Sequence, residues 1–265
     1  MKTISFVIPV YNEEKRLSKT FKALKELELP YGLKLEEVIF VNDGSTDQTA
    51  SCIKYYVSSI ERKIPNNKYR IKLISYKQNK GKGYAIKKGM LEVTSDYALF
   101  FDADISTPLS ELSKFVPKMQ KNIDVIIGTR KNGKSTVIIH QPILREFLGR
   151  MFTKLATIIL NVKATDFTCG FKAFSQKAYK EIFSQSKING WTYDAEIILL
   201  AKKLNYSSVE VPVLWANDSK TKVRLYNAIP QVIMDLLYIR WSYDIKPLFN
   251  FTPKIVVSRF VSIFL

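Results

Sequence analysis

The sequence is poor in the residues that form covalent and metal cross-links. Its 265 residues include two cysteines, Cys52 and Cys169, and one histidine, His140. Two distant cysteines supply neither a disulfide framework nor the ligands of a structural zinc site, and they are typical of a reducing compartment. We interpret Cys169, beside a glycine, as a packing residue. We interpret His140, before an apolar helix-like segment, as structural or phosphate-adjacent rather than as a catalytic base.

Long hydrophobic runs are also missing. No stretch reaches the roughly 18 apolar residues that a membrane-spanning helix requires. The apolar stretch in the opening MKTISFVIPVYNEE meets Pro9 and then acidic residues, so it is interpreted as a first strand and not as a signal peptide. The chain shows no internal repeat, low-complexity tract or obvious linker.

Acidic residues are scarce relative to basic ones. The chain carries 24 Asp and Glu against 41 Lys and Arg, which gives a formal net charge of +17 and a pI near 9.7. This balance favours an anionic partner, which would be nucleic acid, an acidic membrane surface or a phosphorylated substrate. An ordinary soluble protein with a lysine-rich composition is the alternative. A nucleic-acid-binding protein would explain the charge, but it would leave the acidic residues at strand ends unexplained.

The first half of the chain alternates strand-like and helix-like segments. Several strands are continuous apolar runs, as expected for a parallel sheet that is covered on both faces. The alternation predicts an α/β fold with a doubly wound, mostly parallel sheet, whose ligands bind beyond the carboxyl ends of the strands. The predicted strands cover residues 4–11, 36–43, 70–77, 97–104 and 124–129, and the predicted helices 13–28, 46–60, 82–93 and 109–120.

The pattern changes after about residue 130. An amphipathic helix is predicted over 144–161 and a loop with a short strand over 165–175. Two further helices, 178–186 and 193–205, and a strand over 208–215 follow. We treat residues 1–215 as one catalytic unit and residues 216–265 as a C-terminal amphipathic, membrane-associating segment.

The motif VNDGSTDQT (41–49) follows the second predicted strand. Asp43 lies at the carboxyl end of that strand, Gly44 permits a tight turn, and Ser45 or Thr46 can cap the next helix. One interpretation is a well-formed strand–turn–helix junction. The other has Asp43 accepting hydrogen bonds from a ribose or a base edge.

The motif QNKGKGYAIKKGM (78–90) has few of the glycines that define nucleotide-binding loops. Gly81 and Gly83 resemble the start of a dinucleotide fingerprint, but the third glycine position holds Ile86, and no Walker-type loop is present. What remains is a lysine-flanked helix start that suits a diphosphate, because free amides and the helix dipole both favour anions. A solvated basic turn is the alternative.

The motif FFDADIS (100–106) places two aspartates at the end of the fourth predicted strand. Because the predicted strand runs to residue 104, Asp102 and Asp104 are expected to project from one face, since residues two apart in a strand share a face. Two carboxylates at the ligand end of a parallel sheet suit Mg²⁺ or Mn²⁺ that takes its other oxygens from water and a diphosphate. Helix capping is the alternative, but Thr107 with Pro108 as first helical residue is expected to fill that role.

Four motifs in this order and spacing resemble those of family 2 glycosyltransferases with a GT-A fold. They are VIPVYNEE (7–14), VNDGSTD (41–47), NKGKG (79–83) and DADIS (102–106), and the resemblance covers about residues 1–215. Four later segments look like those of the dolichyl- or polyprenyl-phosphate β-glucosyltransferase branch. They are IHQPILREFLGR (139–150), DFTCGFKAF (166–174), GWTYDAEI (190–197) and VPVLWANDSKTKV (211–223).

The resemblance assigns roles residue by residue. It implies that Asp102 and Asp104 hold the diphosphate and the metal, and that Asp166 and Asp194 face the reaction centre with Arg130 near the phosphates. The residues implied to bind the nucleotide sugar are Pro9, Tyr11, Glu13, Asp43, Lys80, Asp102 and Asp104. The residues considered for the acceptor phosphate, in part because guanidinium binds phosphate in a bidentate manner, are Arg145, Arg150, Lys172 and Lys220.

The resemblance implies an inverting transfer of a hexose, glucose from UDP-glucose, onto a polyprenyl or dolichyl phosphate. A mannosyl transfer is the next alternative, but Ser106 stands where that branch commonly has a metal-binding glutamine. A family 2 transferase acting on a nascent surface glycan is a third. A sugar-nucleotide pyrophosphorylase would normally have a glycine-rich loop near its amino terminus, and VIPVYNEE has none.

The C-terminal segment bears on a lipid acceptor. An apolar helical face is predicted within 228–241, and 254–265 suits an in-plane interfacial helix with aromatic anchors nearby. Packing against the core or a dimer partner is the alternative. Together with the net charge of +17, this segment predicts peripheral binding at the cytoplasmic face of a membrane. The face comprises Ile229, Val232, Ile233, Leu236 and Leu237, and the anchors are Tyr238, Trp241 and Tyr243.

Overall fold

The structure is a computed structural model, and it describes residues 1–63, 69–131, 135–218 and 225–245. The predicted interfacial helix at 254–265 and Lys220 lie outside these ranges. The strands are β1 (Lys2–Val10), β2 (Leu33–Asp43), β3 (Arg70–Tyr76), β4 (Tyr97–Phe101), β5 (Val125–Thr129), β6 (Thr136–Ile139), β7 (Phe171–Ser175), β8 (Ser208–Pro212) and β9 (Leu214–Ala216).

The helices alternate with the strands in the first half of the chain and cluster in the second. They are α1 (Leu17–Lys25), α2 (Thr49–Lys63), α3 (Lys82–Met90), α4 (Leu112–Gln120), α5 (Ile143–Leu160), α6 (Gln176–Gln185), α7 (Tyr193–Lys203) and α8 (Leu225–Arg240). A 3₁₀ turn (Leu109–Glu111) precedes α4, and a π-helical turn (Trp241–Ile245) follows α8.

The main sheet has seven strands in the order β3-β2-β1-β4-β7-β5-β8. All neighbours are parallel except β7, which is antiparallel to both β4 and β5. Strands β6 and β9 form a separate parallel pair. The predicted α/β class with a doubly wound, mostly parallel sheet is therefore confirmed. The predicted strand over 208–215 is in fact two strands, because the chain leaves the main sheet at Val213 to pair with β6.

Side chains alternate between two cores, one on each face of the sheet. Val7 and Phe100 pack with α3, α5, α6, α7 and α8, whereas Phe6, Phe40 and Leu99 pack with α1, α2 and α4. These strand residues are fully buried, which explains their continuous apolar sequence. Because both faces are covered by helices, only the edges and ends of the sheet remain for ligands.

Helix α8 packs against the core by one side and exposes the other. Leu236 and Ile239 are fully buried against the core on the α5 and α7 side, while Ile229, Ile233 and Leu237 are 40–45% exposed. The predicted single apolar face is therefore divided between the protein core and the surface. Within the described ranges, no helix has both the length and the apolar character needed to cross a membrane.

Candidate active site

The loops that follow β1 and β2 interlock at the carboxyl end of the sheet. Asn12 has a positive φ of 53°, which Asn tolerates better than most residues. Its amide donates to Ser45 Oγ at 2.9 Å, and its Oδ1 accepts from the Thr46 amide at 2.8 Å. Ser45 and Thr46 thus hold the β1 loop, and the prediction that one of them caps α2 is wrong. Asp47 does so instead, accepting from the Thr49 amide at 3.0 Å.

Asp43 organises the next loop. It is 3% exposed, and its carboxylate accepts from the amides of Lys80 at 2.8 Å and Gly81 at 2.9 Å and from Asn79 Nδ2 at 2.9 Å. The turn at Gly44 packs closely against this loop, because a Cβ at Gly44 would lie 2.4 Å from the Asn79 nitrogen. Asp43 therefore holds the NKGKG loop beside the β2 end. Contact with a ribose or base stays a prediction.

The other residues implied for the nucleotide pocket lie around these two loops. Pro9 is within β1, opposite Val41. Tyr11, just beyond the strand, is 39% exposed. Glu13 forms a bidentate pair with Arg16, with N–O distances of 2.5 and 2.7 Å, and Lys80 lies 4.7 Å above the Tyr84 ring. The pair and the ring contact fix the Glu13 and Lys80 side chains, and their contact with a nucleotide stays a prediction.

The DADIS segment does not continue the strand. Strand β4 ends at Phe101, and the following turn is closed by a hydrogen bond from the Ile105 amide to the Asp102 carbonyl at 3.1 Å, with a positive φ of 51° at Ile105. The prediction that strand geometry projects Asp102 and Asp104 from one face is therefore wrong. The Thr107 cap is wrong as well, since Pro108 is the N-cap of the 3₁₀ turn and no side chain caps it.

The turn nevertheless brings both aspartates together. Burial raises the pKa of the Asp104 carboxyl, and the negative charge of Asp102 raises it further. The turn is fixed from behind, since Lys19 Nζ donates to the Asp104 carbonyl at 2.6 Å and Thr20 Oγ1 to the Ala103 carbonyl at 2.5 Å. Two adjacent carboxylates repel each other when both are ionised, so a cation between them stabilises the doubly ionised form.

Lys82 is the residue of this site that the sequence analysis missed. Its Nζ lies 2.5 Å from Asp102 Oδ1 and 5.6 Å above the Trp191 ring. Burial opposes its charge, but Asp102 and Asp194 outweigh this and raise the pKa of the Lys82 ammonium. The sequence signal for Lys82 is its position as first residue of α3, two residues after Lys80 in the same lysine-flanked motif.

The donor set fits a divalent cation with two protein ligands. Among the described residues, no group of three or more His, Cys, Asp or Glu side chains could hold a metal by itself. Asp102 and Asp104 supply carboxylate oxygens of the kind that Mg²⁺ and Mn²⁺ prefer, and the Asp102 side chain is 36% exposed. The remaining ligands would then come from water and from a bound diphosphate, as the sequence predicts.

Asp102 also contacts the second half of the chain. A Cβ at Gly170 would lie 2.3 Å from Asp102 Oδ2, so glycine permits the DFTCG turn to approach this carboxylate. A small pocket opens at this junction. It is lined by Phe101, Asp102, Ser106, Thr107, Gly170 and Trp215.

Asp166 and Arg130 form a buried ion pair beside this pocket. Arg130 Nε and Nη2 donate to the two Asp166 oxygens at 2.7 and 2.9 Å, and the guanidinium lies 5.0 Å from the centre of the Trp215 ring. Asp166 is fully buried, which opposes its ionisation, but Arg130 and Lys131 hold the pKa of the Asp166 carboxyl well below its usual range. Asp166 is thus ionised and committed to Arg130, so the pair acts as a unit.

Asp194 is paired with Lys172 beneath the site. The Lys172 ammonium is fully buried and donates to the carbonyls of Phe167 at 2.8 Å and Cys169 at 2.7 Å and to the Asp194 carboxylate. All three of its hydrogens are used, so the prediction that Lys172 binds the acceptor phosphate is wrong. Burial raises the pKa of the Asp194 carboxyl despite Lys172 and Lys82.

Arg145 is the third residue of α5 and is partly buried. Its guanidinium forms no ion pair with any residue that the structure describes. Burial lowers the pKa of Arg145, and the neighbouring positive charge of Arg130 lowers it further. Arg150 is more exposed and lies 3.6 Å from Glu146, whose carboxylate also accepts from His140 Nδ1 at 2.9 Å. The His140 contact agrees with a structural role.

Comparisons with known proteins agree with this geometry. The family described as "Glycosyl transferase family 2" matches residues 5–183. A dolichyl-phosphate beta-glucosyltransferase from Dictyostelium discoideum is 31% identical over 254 residues, which cover 91% of this chain and 74% of that protein.

Two solved structures share the fold. A mannosyltransferase from Pyrobaculum calidifontis in complex with GDP-Man and Mn²⁺ has a TM-score of 0.58 at 16% identity, covering 92% of this chain and 64% of that one. Glucosyl-3-phosphoglycerate synthase from Mycobacterium tuberculosis with Mg²⁺ and UDP has a TM-score of 0.58 at 17% identity, covering 91% and 79%. These likenesses confirm the predicted GT-A fold.

Proposed function

The chain belongs to glycosyl transferase family 2, and from this premise we propose that it transfers glucose from UDP-glucose to a polyprenyl or dolichyl phosphate with inversion. The relative from Dictyostelium discoideum, named for dolichyl phosphate and a beta-glucosyl product, supports this acceptor and outcome. The observation that carries the proposal is the charge arrangement at the sheet end. Lys82 pairs with Asp102 at the small pocket, next to Asp104, and these three charges are called the first side of the site. Arg130 lies over Trp215, which also lines the pocket, and Arg130 with the neighbouring Arg145 is called the second side.

The first side suits the donor. When the nucleotide leaves, negative charge develops on its diphosphate, and fixed positive charge there lowers the barrier. Lys82 and the positive end of the α3 helix dipole would stabilise that charge. Asp102 and Asp104 would hold a divalent cation, Mg²⁺ or Mn²⁺, which would supply further positive charge to the departing diphosphate.

The second side suits a phosphate acceptor. A phosphate monoester has a second pKa of about 6, so it is largely ionised at neutral pH and needs no strong base. The buried carboxylates of Asp166 and Asp194 are not available as bases, since Asp166 is paired with Arg130 and Asp194 with Lys172. We assign them to positioning, with Asp166 holding the Arg130 guanidinium beside the pocket. The half-buried Arg145 is assigned to the acceptor phosphate.

The surface beside Arg145 suits the lipid part of the acceptor. Helix α5 exposes a stripe of apolar side chains at helical spacing, with Ile143 88%, Phe147 56% and Ile158 76% exposed. The opposite side of the helix, with Ala156 and Leu160, is buried in the core. An exposed apolar stripe on a basic protein is typical of a helix that lies at an anionic membrane surface. We therefore place the enzyme peripherally on a membrane, at the cytoplasmic face.

A donor screen tests the proposal. UDP-glucose, GDP-mannose and UDP-GlcNAc are each offered to the purified full chain with polyprenyl phosphate and Mg²⁺, and glycolipid is measured by mass spectrometry. We expect product from UDP-glucose, and at least ~100-fold less with Asp104→Ala, which removes one carboxylate from the metal and diphosphate side. Product from GDP-mannose alone would identify a mannosyltransferase. Activity only on a soluble saccharide would reject the lipid phosphate acceptor.

A further inference from the structure

The Lys82 ammonium occupies the region where a divalent cation is expected. It contacts Asp102 at 2.5 Å and lies within the electrostatic reach of Asp104 and Asp194 as well. We infer that Lys82 is a resident counter-ion of this carboxylate cluster, which the metal displaces only when a nucleotide diphosphate is present to receive the ammonium. The inference rests on the proposed function, in which Asp102 and Asp104 hold the metal.

The formal charges of the cluster favour joint binding. The carboxylates of Asp102, Asp104 and Asp194 contribute three negative charges, and the ammonium groups of Lys82 and Lys172 contribute two positive ones, which leaves one net negative charge. A divalent cation alone would reverse that sign. A diphosphate arriving with it restores negative charge, and it also offers oxygens to the displaced ammonium.

The fold fixes the base of the Lys82 side chain while leaving its ammonium a place to move. Lys82 begins α3, directly after Gly81, whose φ of 100° and close approach to the Asn189 carbonyl hold the backbone in place. The side chain is 19% exposed, and its ammonium faces the Trp191 ring. A lysine has a flexible four-carbon stem, so a short rotation moves its charge from Asp102 toward an anion at the helix start.

This arrangement gives Lys82 two opposite effects on ligand binding. Without nucleotide, its charge competes with a metal for Asp102. With nucleotide, the same charge stabilises the diphosphate. A lysine that only supported the fold would not change the two affinities in opposite directions.

Mn²⁺ and UDP titrations of the full chain test the inference without relying on turnover. Free Mn²⁺ is followed by electron paramagnetic resonance, and UDP binding by calorimetry in metal-free buffer. In Lys82→Met we expect Mn²⁺ alone to bind about tenfold tighter and UDP alone to bind about tenfold more weakly, because one positive charge is removed from each contact. Lys82→Arg keeps the charge, so we expect both affinities to stay within about threefold of the wild type.

Lys88→Met is the matched control. Lys88 lies on the same helix and pairs with Glu92 at 3.6 Å, away from the cluster, and its loss gives the same change in net charge. Unchanged Mn²⁺ affinity is expected there. If Lys82→Met binds Mn²⁺ alone no more tightly than the wild type, the inference is overturned. Should that variant fail to fold, the wild type decides, because equal Mn²⁺ affinities with and without UDP would overturn the inference as well.

A further variant separates this failure from failure of the proposed function. Asp104→Asn is titrated with Mn²⁺ in the presence of UDP. If its affinity equals that of the wild type, the metal assignment itself is wrong. If it loses binding while Lys82→Met gains none, the metal assignment stands and only the counter-ion role of Lys82 is rejected.

Discussion

The buried ion pair between Lys172 and Asp194 predicts how much free energy of unfolding a substitution of Lys172 costs. Lys172→Met removes an ammonium that is fully buried and bonded to Asp194 and to the carbonyls of Phe167 and Cys169. The Asp194 charge is then left without its partner, which costs about 3–5 kcal/mol for a buried pair. Because single domains are stable by only about 5–15 kcal/mol, we expect this variant to lose a large part of its free energy of unfolding.

Urea unfolding followed by tryptophan fluorescence measures the loss. Lys177→Met is the matched control, since Lys177 lies 3.1 Å from Asp124 but is 69% exposed, and we expect it to cost at most about 1 kcal/mol. In Lys172→Met/Asp194→Asn the unpaired charge is gone, so a coupling energy of about 2–3 kcal/mol is expected from the double-mutant cycle. A cost below about 1 kcal/mol for Lys172→Met would refute the assignment of a buried ion pair.

The same variant has a predicted pH dependence. Burial raises the pKa of Asp194 above that of the unfolded chain even with Lys172 present, and removal of the ammonium raises it further. The folded state then binds a proton that the unfolded state releases, so its stability falls as pH rises from the ordinary aspartate range through the raised value. We therefore expect the deficit of Lys172→Met to be smallest in acid. A deficit that grows as pH falls would contradict this reasoning.

Three further predictions concern the site and its surface. Gly170→Ala introduces a Cβ that would lie 2.3 Å from Asp102 Oδ2, so we expect kcat/KM to fall about tenfold or more in a transfer assay. Unchanged kinetics would show that the position of Asp102 does not depend on this glycine. Arg145→Ala should raise the KM for polyprenyl phosphate about tenfold while leaving the KM for the donor unchanged, and the reverse pattern would move Arg145 to the donor side. The double variant Phe147→Ser/Ile158→Ser should bind anionic vesicles about tenfold more weakly than the wild type, as measured by co-sedimentation of the full chain. Equal binding would show that α5 does not contact the membrane.

Local sequence patterns were sufficient to predict the sheet and the end of it at which the site lies. Continuous apolar runs such as those of β1 and β2 predicted strands covered on both faces, and the structure places Val7 and Phe6 in opposite cores. Strand ends that carry polar residues predicted where a ligand site would lie. These predictions succeed because they depend on side-chain burial, which sequence periodicity records directly.

Predictions of turn geometry failed where distant contacts decide it. The strand extension through Asp104 was wrong because Lys19 and Thr20 on α1 hold the carbonyls of the DADIS turn, and nothing near residue 104 indicates this. The caps assigned to Ser45 and Thr46 were wrong because Asn12 takes their hydrogen bonds. A local motif does not specify which remote partner competes for its polar groups.

The sequence by itself determined the family, the α/β class and the carboxylates placed beyond β4. Its motifs are contiguous, and their chemistry depends on residue type and order. Only the tertiary structure decided the partner of each charge. It buried Lys172 on Asp194, committed Asp166 to Arg130, and brought Lys82 to Asp102. These pairs join residues 20 to 36 positions apart. The pairs of Asp166 and Lys172 form because the antiparallel β7 returns the second half of the chain to the centre of the sheet. Lys82 meets Asp102 because α3 begins and β4 ends at the same end of that sheet.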